Sequence, residues 1–442
     1  MTRRTVDRSV ALGVGVLAVL AVVVVYNALV YPALAGFDFR PDLAYATDLI
    51  RNGKLPDRVG SYYTPPGFFA LGGLAYVVGE SLGLVHPERL GQLMNGAFVV
   101  ATAGLVFIWA RTIFPRRPVL HLSALAFFVV SPLALKSGAM FHPEPLSMLL
   151  ATGALVAASR FLSRPRRSLG WAGLGWALAI GLLLGLQQLV RAFALWTVVV
   201  VALMFVVTCV AVPASRRQVL GALAVVLAVG AIVPAPWYAY QQSQYGNPVF
   251  DRPQPTASLW ERRPARFYVD AGLPDLVVRP FRPHASDRLI PVAYGDLWGD
   301  YWGVWSWNSA LGSPSASDRH RLITQVVAGA PLTVLALAGW ISVAFLLLRA
   351  PAARRELVPV VLMPLAALAG MAYFALAYPT ADGDTIKASF MLTALPAWAL
   401  CFGFATDVLA RRLGRNGSRA LLAIGLLLAV LFLDYGLASS NL

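Results

Sequence analysis

Asp38 and Asp42 lie in GFDFRPDLAYATDLIRNGKLPD, residues 36–57, directly after a long uncharged run. A carboxylate at the end of an apolar segment is costly in hydrocarbon. It is more easily kept in a solvated cleft, where it can take a proton from an incoming hydroxyl. A solvated pair marking a helix end has the same spacing. Arg191, in LeuGlnGlnLeuValArgAlaPhe, could hold phosphate through its planar fork or simply snorkel to an interface. Lys387 follows Asp382 and Asp384; it suits an anionic ligand such as phosphate, or it could pair with Asp384. Residues 294–307, TyrGlyAspLeuTrpGlyAspTyrTrpGlyValTrpSerTrp, gather Trp298 and Trp302 with Asp296 and Asp300. Flat aromatic faces beside carboxylates can stack on and hydrogen-bond a sugar ring, although an amphipathic piece resting on a bilayer would look similar. His142 and Glu144 sit in a proline-stiffened turn with too few local ligands for a metal site. Glu144 could instead present a second carboxylate to the first loop. Tyr63 precedes Pro65 and Pro66, which preset a helix start, and the tyrosine fits an interfacial belt as well as a ligand contact.

These residues hang on a chain of 442 residues that is 58% hydrophobic and 13% charged. A soluble domain carries about 25% charge, so the class is an integral membrane protein. The formal charge of +15 describes topology rather than nucleic-acid binding. Cys209 and Cys401 lie in apolar runs and support no disulfide framework or Cys-based metal site.

Eleven apolar segments reach spanning length, from 9–35 to 420–438, and a twelfth, 66–85, is glycine-rich. Arg3, Arg4 and Arg8 precede the first, which is too long for a cleavable signal and is read as retained with a cytoplasmic N-terminus. Arginines cluster in alternate connections, at 111–117, 160–167, 216–217, 349–355 and 411–419. The positive-inside rule puts them on the side of the N-terminus only if 66–85 does not cross. The expected architecture is therefore all-α, with about eleven transmembrane helices, a juxtamembrane helix at 66–85 and most acids on the outer face. The expected division is an N-terminal transmembrane module, 1–240, with the first outer loop at 36–65; an outer region, 241–323, holding short helices; and C-terminal helices, 324–442.

The order of features resembles the GT-C class of polytopic glycosyltransferases, which includes protein O-mannosyltransferases and the lipid A aminoarabinose transferase. Asp38, Tyr45, Gly53-Lys54-Leu55-Pro56 and Pro65-Pro66 match that class's first loop, with Phe39 where Glu is usual and Asp42 where His is common. ProTrpTyrAlaTyr and TyrGlyAsnProValPhe, within 236–250, resemble the entry to its outer domain. AspThrIleLysAlaSerPhe, 384–390, resembles its late basic stretch, in which only Lys387 carries over.

The resemblance implies transfer of a sugar, with inversion, from a polyprenyl-phosphate donor to a lipid, glycan or protein acceptor. Asp38 or Asp42 would be the base, and Arg191 and Lys387 would hold the leaving phosphate. Some members use a divalent cation, Mg or Mn, to which Asp42 or Glu144 would contribute. The Lys-poor, Ala/Val/Leu/Arg-rich composition suggests a bacterial plasma membrane and a cell-envelope product. A transporter or flippase of lipid-linked precursors is the rival; it calls for polar residues at mid-membrane, where this chain has few. A non-catalytic scaffold would not need acids, cations and aromatics on one face.

Overall fold

The computed structural model describes residues 3–36, 38–56, 63–163, 170–248, 261–280, 288–299, 316–377 and 387–436. Among these, secondary structure is helical throughout. Ten helices among the described residues are long and apolar enough to cross a bilayer, and an eleventh crossing results if Pro118–Val130 (α5) and Pro132–Gly138 (α6) count as one. That pair bends by 56° at Ser131. The cause is local, because Pro132 lacks an N–H and pushes the preceding residue out of the helical region, to φ −66°, ψ 114°. The chain is a multi-pass membrane protein.

The first long helix, Arg3–Val30 (α1), leads through a short 3₁₀ turn into Phe39–Asn52 (α2). The latter ends on Gly53 in the left-handed conformation, φ 62°, which glycine reaches without a Cβ penalty. Gly67–Ser81 (α3) follows Pro65 and Pro66. At 1.5 Å per residue its 15 residues cover roughly 22 Å, short of the ~30 Å hydrocarbon core. The non-crossing reading of 66–85 therefore has a simple physical basis in length.

Two glycines let α3 lie flat on its neighbours. A Cβ at Gly73 would run into the Ala46 carbonyl, and one at Gly72 into the Phe141 ring. Gly73→Ala should therefore separate α2 from α3 and lower stability by about 1–3 kcal/mol, measured as a drop in thermal unfolding temperature in detergent. An unchanged unfolding temperature would show that the two helices are not in this contact.

Glu88–Ile113 (α4), 26 residues long, rises roughly 39 Å and separates two chemistries. Gln92 and Asn95 near its start bind the turn that carries His142. Beyond its far end Arg117 pairs at 3.3 Å with buried Asp407, which also meets Arg411 at 3.0 Å. The arginine-rich ends and the acid-bearing face thus lie at opposite ends of one bundle.

The remaining helices are Glu144–Ser163 (α7), Trp171–Val190 (α8), Leu195–Ala211 (α9), Arg216–Ile232 (α10) and Ala235–Tyr245 (α11). The connection that follows contributes Ala265–Val269 (α12), Leu273–Val278 (α13) and Leu289–Trp298 (α14). Ala316–Arg349 (α15), Val358–Ala377 (α16) and Leu395–Gly436 (α17), the last broken at Gly414, complete the fold.

Candidate functional site

Asp38 stands at the N-terminal end of α2 with φ 55°, ψ 17°, the one non-glycine residue at positive φ among the described residues. An Asp at this position usually turns its carboxylate onto the first N–H groups of its own helix. Here the side chain makes no cap bond; it meets Lys387, with Oδ2 3.0 Å from Nζ. The carboxylate is turned away from its own helix toward Lys387, and left-handed backbone at non-glycine residues clusters at functional sites. Partial burial works to raise the Asp38 pKa; Lys387, then His142 and Arg191, oppose it, and the net value lies below the ordinary carboxylate range. The Asp38 carboxyl is thus held in its ionised form and is half exposed.

Asp42, one turn on, is buried and lies within electrostatic reach of Arg191, as does Tyr63. Of the two candidate bases, only Asp38 is open to an incoming hydroxyl. Tyr45, on the same face of α2, stacks on Phe69 with centroids 4.1 Å apart and donates its hydroxyl to the Thr64 carbonyl at 3.2 Å. Burial, then Tyr240, Asp42 and Tyr245, push its pKa up and keep the phenol protonated.

Glu144 is buried between two partners: Oε1 meets Arg191 and Oε2 meets His142 Nδ1. The turn carrying both His142 and Glu144 is fixed from α4. Gln92 Nε2 donates to the Ala139 carbonyl at 2.6 Å, and Asn95 Nδ2 to the carbonyls of Met140 and His142, each at 2.7 Å. Below it, Phe141 is struck edge-on by Phe39 and Phe68, at 6.1 and 5.2 Å. Phe39, which replaces the acid usual in the GT-C first loop, is therefore a packing residue. Arg191 breaks α8 in extended conformation. Two residues on, Phe193 stacks at 4.8 Å on Phe390, three residues after Lys387, and Phe374 packs against both. This aromatic trio brings the Arg191 and Lys387 segments to one place.

The structure thus unites Asp38, Asp42, Tyr63, His142, Glu144, Arg191 and Lys387. It does not present Asp296 or Trp298 to a ligand. Trp298 is fully buried between Phe127 and Phe432, its ring filling the space left by Gly329, and its indole N–H is donated to Thr333 Oγ1 at 2.8 Å. The expected sugar-stacking face at Trp298 is instead part of the helical core. Asp296 is buried and accepts the Ala388 N–H. Asp300 and Trp302 lie outside the described residues, as do Asp382 and Asp384.

Glu144 does not fit the metal-ligand role implied by the resemblance, because both of its oxygens are occupied by side chains. No group of three His, Cys, Asp or Glu with metal-holding geometry occurs among the described residues. Sequence reading passed over Gln92, Asn95 and Lys136, polar groups within apolar segments, which is the signal that could have exposed them.

No family model and no curated protein matches the chain. Solved structures do. The archaeal oligosaccharyltransferase AglB from Archaeoglobus fulgidus, in complex with an inhibitory peptide and a dolichol-phosphate, superposes with a TM-score of 0.59 over 97% of this chain and 56% of its own, at 15% identity. ArnT from Cupriavidus metallidurans bound to undecaprenyl phosphate matches with a TM-score of 0.54 over 94% of this chain and 62% of its own, at 17% identity. The archaeal enzyme in complex with zinc and sulfate gives 0.57, covering 96% and 53%, at 15% identity. The chain therefore spans little more than half the length of these proteins. Its arrangement of spanning helices, first-loop helix and short third helix is that of these structures, the GT-C fold.

Proposed function

We propose that the protein transfers a sugar from a polyprenyl-phosphate donor to a cell-envelope acceptor on the outer face of a plasma membrane, with inversion and with Asp38 as base. The observation that carries this reading is a half-exposed carboxylate, aimed out of its own helix and paired with Lys387, with Arg191 in electrostatic reach. The binding of dolichol-phosphate by AglB and of undecaprenyl phosphate by ArnT supports a lipid-phosphate donor.

In the proposed reaction Asp38 takes the proton of the acceptor hydroxyl as that oxygen attacks the anomeric carbon. The bond from this carbon to the phosphate oxygen breaks, and polyprenyl phosphate leaves with the electron pair. An ammonium carries three donors, so Lys387 can hold Asp38 and a phosphate oxygen together. Arg191, kept charged in its buried setting by Glu144, adds a second fixed cation where negative charge grows. His142 completes the clamp on Glu144. Tyr63 lies within electrostatic reach of Arg191.

The test is release of free polyprenyl phosphate from polyprenyl-phosphate sugars by the purified protein with membrane lipid extract as acceptor. Release that depends on Asp38 supports transfer. Movement of intact donor across proteoliposomes with no bond cleavage would point to a flippase instead.

The Asp38–Lys387 pair sets a pH dependence. Lys387 lowers the Asp38 pKa, so Lys387→Met raises it, and the base is protonated at higher pH than in the wild type. The acid limb of kcat/KM should move to higher pH. A limb that stays in place while activity falls would leave Lys387 a phosphate contact only.

A further inference from the structure

Lysine is rare here: Lys54, Lys136 and Lys387 are the only ones among 36 basic residues. One of the three meets the end of α14, and a second adjoins a residue that meets the same helix. Lys136, buried on the short helix α6, donates to the Gly299 carbonyl at 3.1 Å. Two bonds to α15 hold the same end: the Tyr294 hydroxyl donates to the Val326 carbonyl at 2.7 Å, and the Trp298 indole to Thr333 at 2.8 Å. The fourth bond leaves α14 in another direction, as Asp296 Oδ2 accepts the backbone N–H of Ala388 at 2.9 Å. A buried carboxylate is expensive unless a donor satisfies it, and this donor belongs to the residue next to Lys387.

We infer that Asp296 is a positioning residue for Lys387, and that its bond to the Ala388 N–H sets the ammonium against Asp38. Lys387 is extended, φ −129°, ψ 134°. With the Ala388 N–H fixed on Asp296, the Lys387 side chain is left to reach Asp38 at 3.0 Å. The chain from outer connection to base is therefore short: α14, Asp296, Ala388, Lys387, Asp38. Its first member is anchored in the bundle by Lys136, Tyr294 and Trp298, so the outer connection and the site share one rigid support.

The effect on catalysis rests on the proposed role of Asp38. The test does not, because it reads Lys387 without substrate and its failure is separable from failure of that role. The purified full-length chain in detergent is acylated with acetic anhydride, and mass spectrometry gives the labelling of Lys387 relative to Lys54. Asp296→Ala should raise that ratio about tenfold, the change expected for losing a hydrogen bond to a charged group. Asp296→Asn, whose amide oxygen still accepts, should keep the wild-type ratio. Ala388→Pro removes the donor from the other side and should match Asp296→Ala; Lys387 already has the conformation of a residue before proline. Asp38→Asn, which removes the partner itself, should raise the ratio as well. The inference is overturned if the ratio in Asp296→Ala and Ala388→Pro stays at the wild-type value, or if Asp296→Asn behaves like Asp296→Ala. A rise at Lys136 equal to that at Lys387 also overturns it, since the bundle has then opened as a whole.

Discussion

Asp38→Asn should cost about 10²–10⁴-fold in sugar transfer, the range of a positioned general base, and leave the protein folded. The structure makes this substitution unusually clean. Asp38 makes no cap bond, so α2 loses no side-chain support. Its φ of 55° lies in the left-handed region, where Asn is among the few residues at ease. Asp38→Ala would add backbone strain to the loss of the carboxylate and so confuse the two. The measurement is donor turnover beside size-exclusion behaviour and unfolding temperature. If Asp38→Asn keeps its activity and Asp42→Asn loses it, the base is Asp42, and the exposure argument given for Asp38 is wrong.

Glu144→Ala should be the most destabilising single change at the site. Glu144 is almost wholly enclosed and faces Arg191 and His142. Its removal takes from the Arg191 guanidinium its direct ion-pair partner in a largely enclosed place. Breaking a buried pair from one side costs about 3–5 kcal/mol, whereas replacing both partners by apolar groups of similar volume is often neutral. The expected result is a large fall in unfolding temperature for Glu144→Ala, mostly recovered in the Glu144→Met, Arg191→Met double variant. That double variant should still lack transferase activity, because the cation assigned to the leaving phosphate is gone. If Glu144→Ala unfolds at the wild-type temperature, the pair does not hold the bundle together. If the double variant is active, Arg191 does not hold the phosphate.

The two substitutions probe different links of one chain of causes. Asp38→Asn tests the proposed chemistry, through a half-exposed carboxylate paired with a distant lysine. Glu144 bears on the scaffold that keeps a buried arginine charged. Gly73, farther from the charges, decides how closely α2 can approach α3, and so where Asp38 can stand.

Composition and charge pattern alone established a polytopic membrane protein, because hydrocarbon excludes charge and leaves long apolar runs that are visible without coordinates. The alternation of arginine clusters required that 66–85 not cross, and the 15-residue length of α3 agrees. The first-loop acids, Arg191 and Lys387 were legible as candidates because an ionisable group beside an apolar segment is costly and so carries meaning.

Local sequence could not reveal partners. Asp38 and Lys387 are 349 positions apart, so nothing in the local sequence around either one names the other. Glu144, read as a turn residue or a second carboxylate facing the first loop, is paired instead with Arg191 at the end of α8. Trp298 and Asp296, read as ligand contacts from their neighbours along the chain, are turned inward by packing against Phe127, Phe432 and Ala388. Residue type and hydropathy are properties of the chain and settle which side chains are costly to bury. Which opposite charge meets each one depends on how the helices pack, and only the tertiary structure decides that.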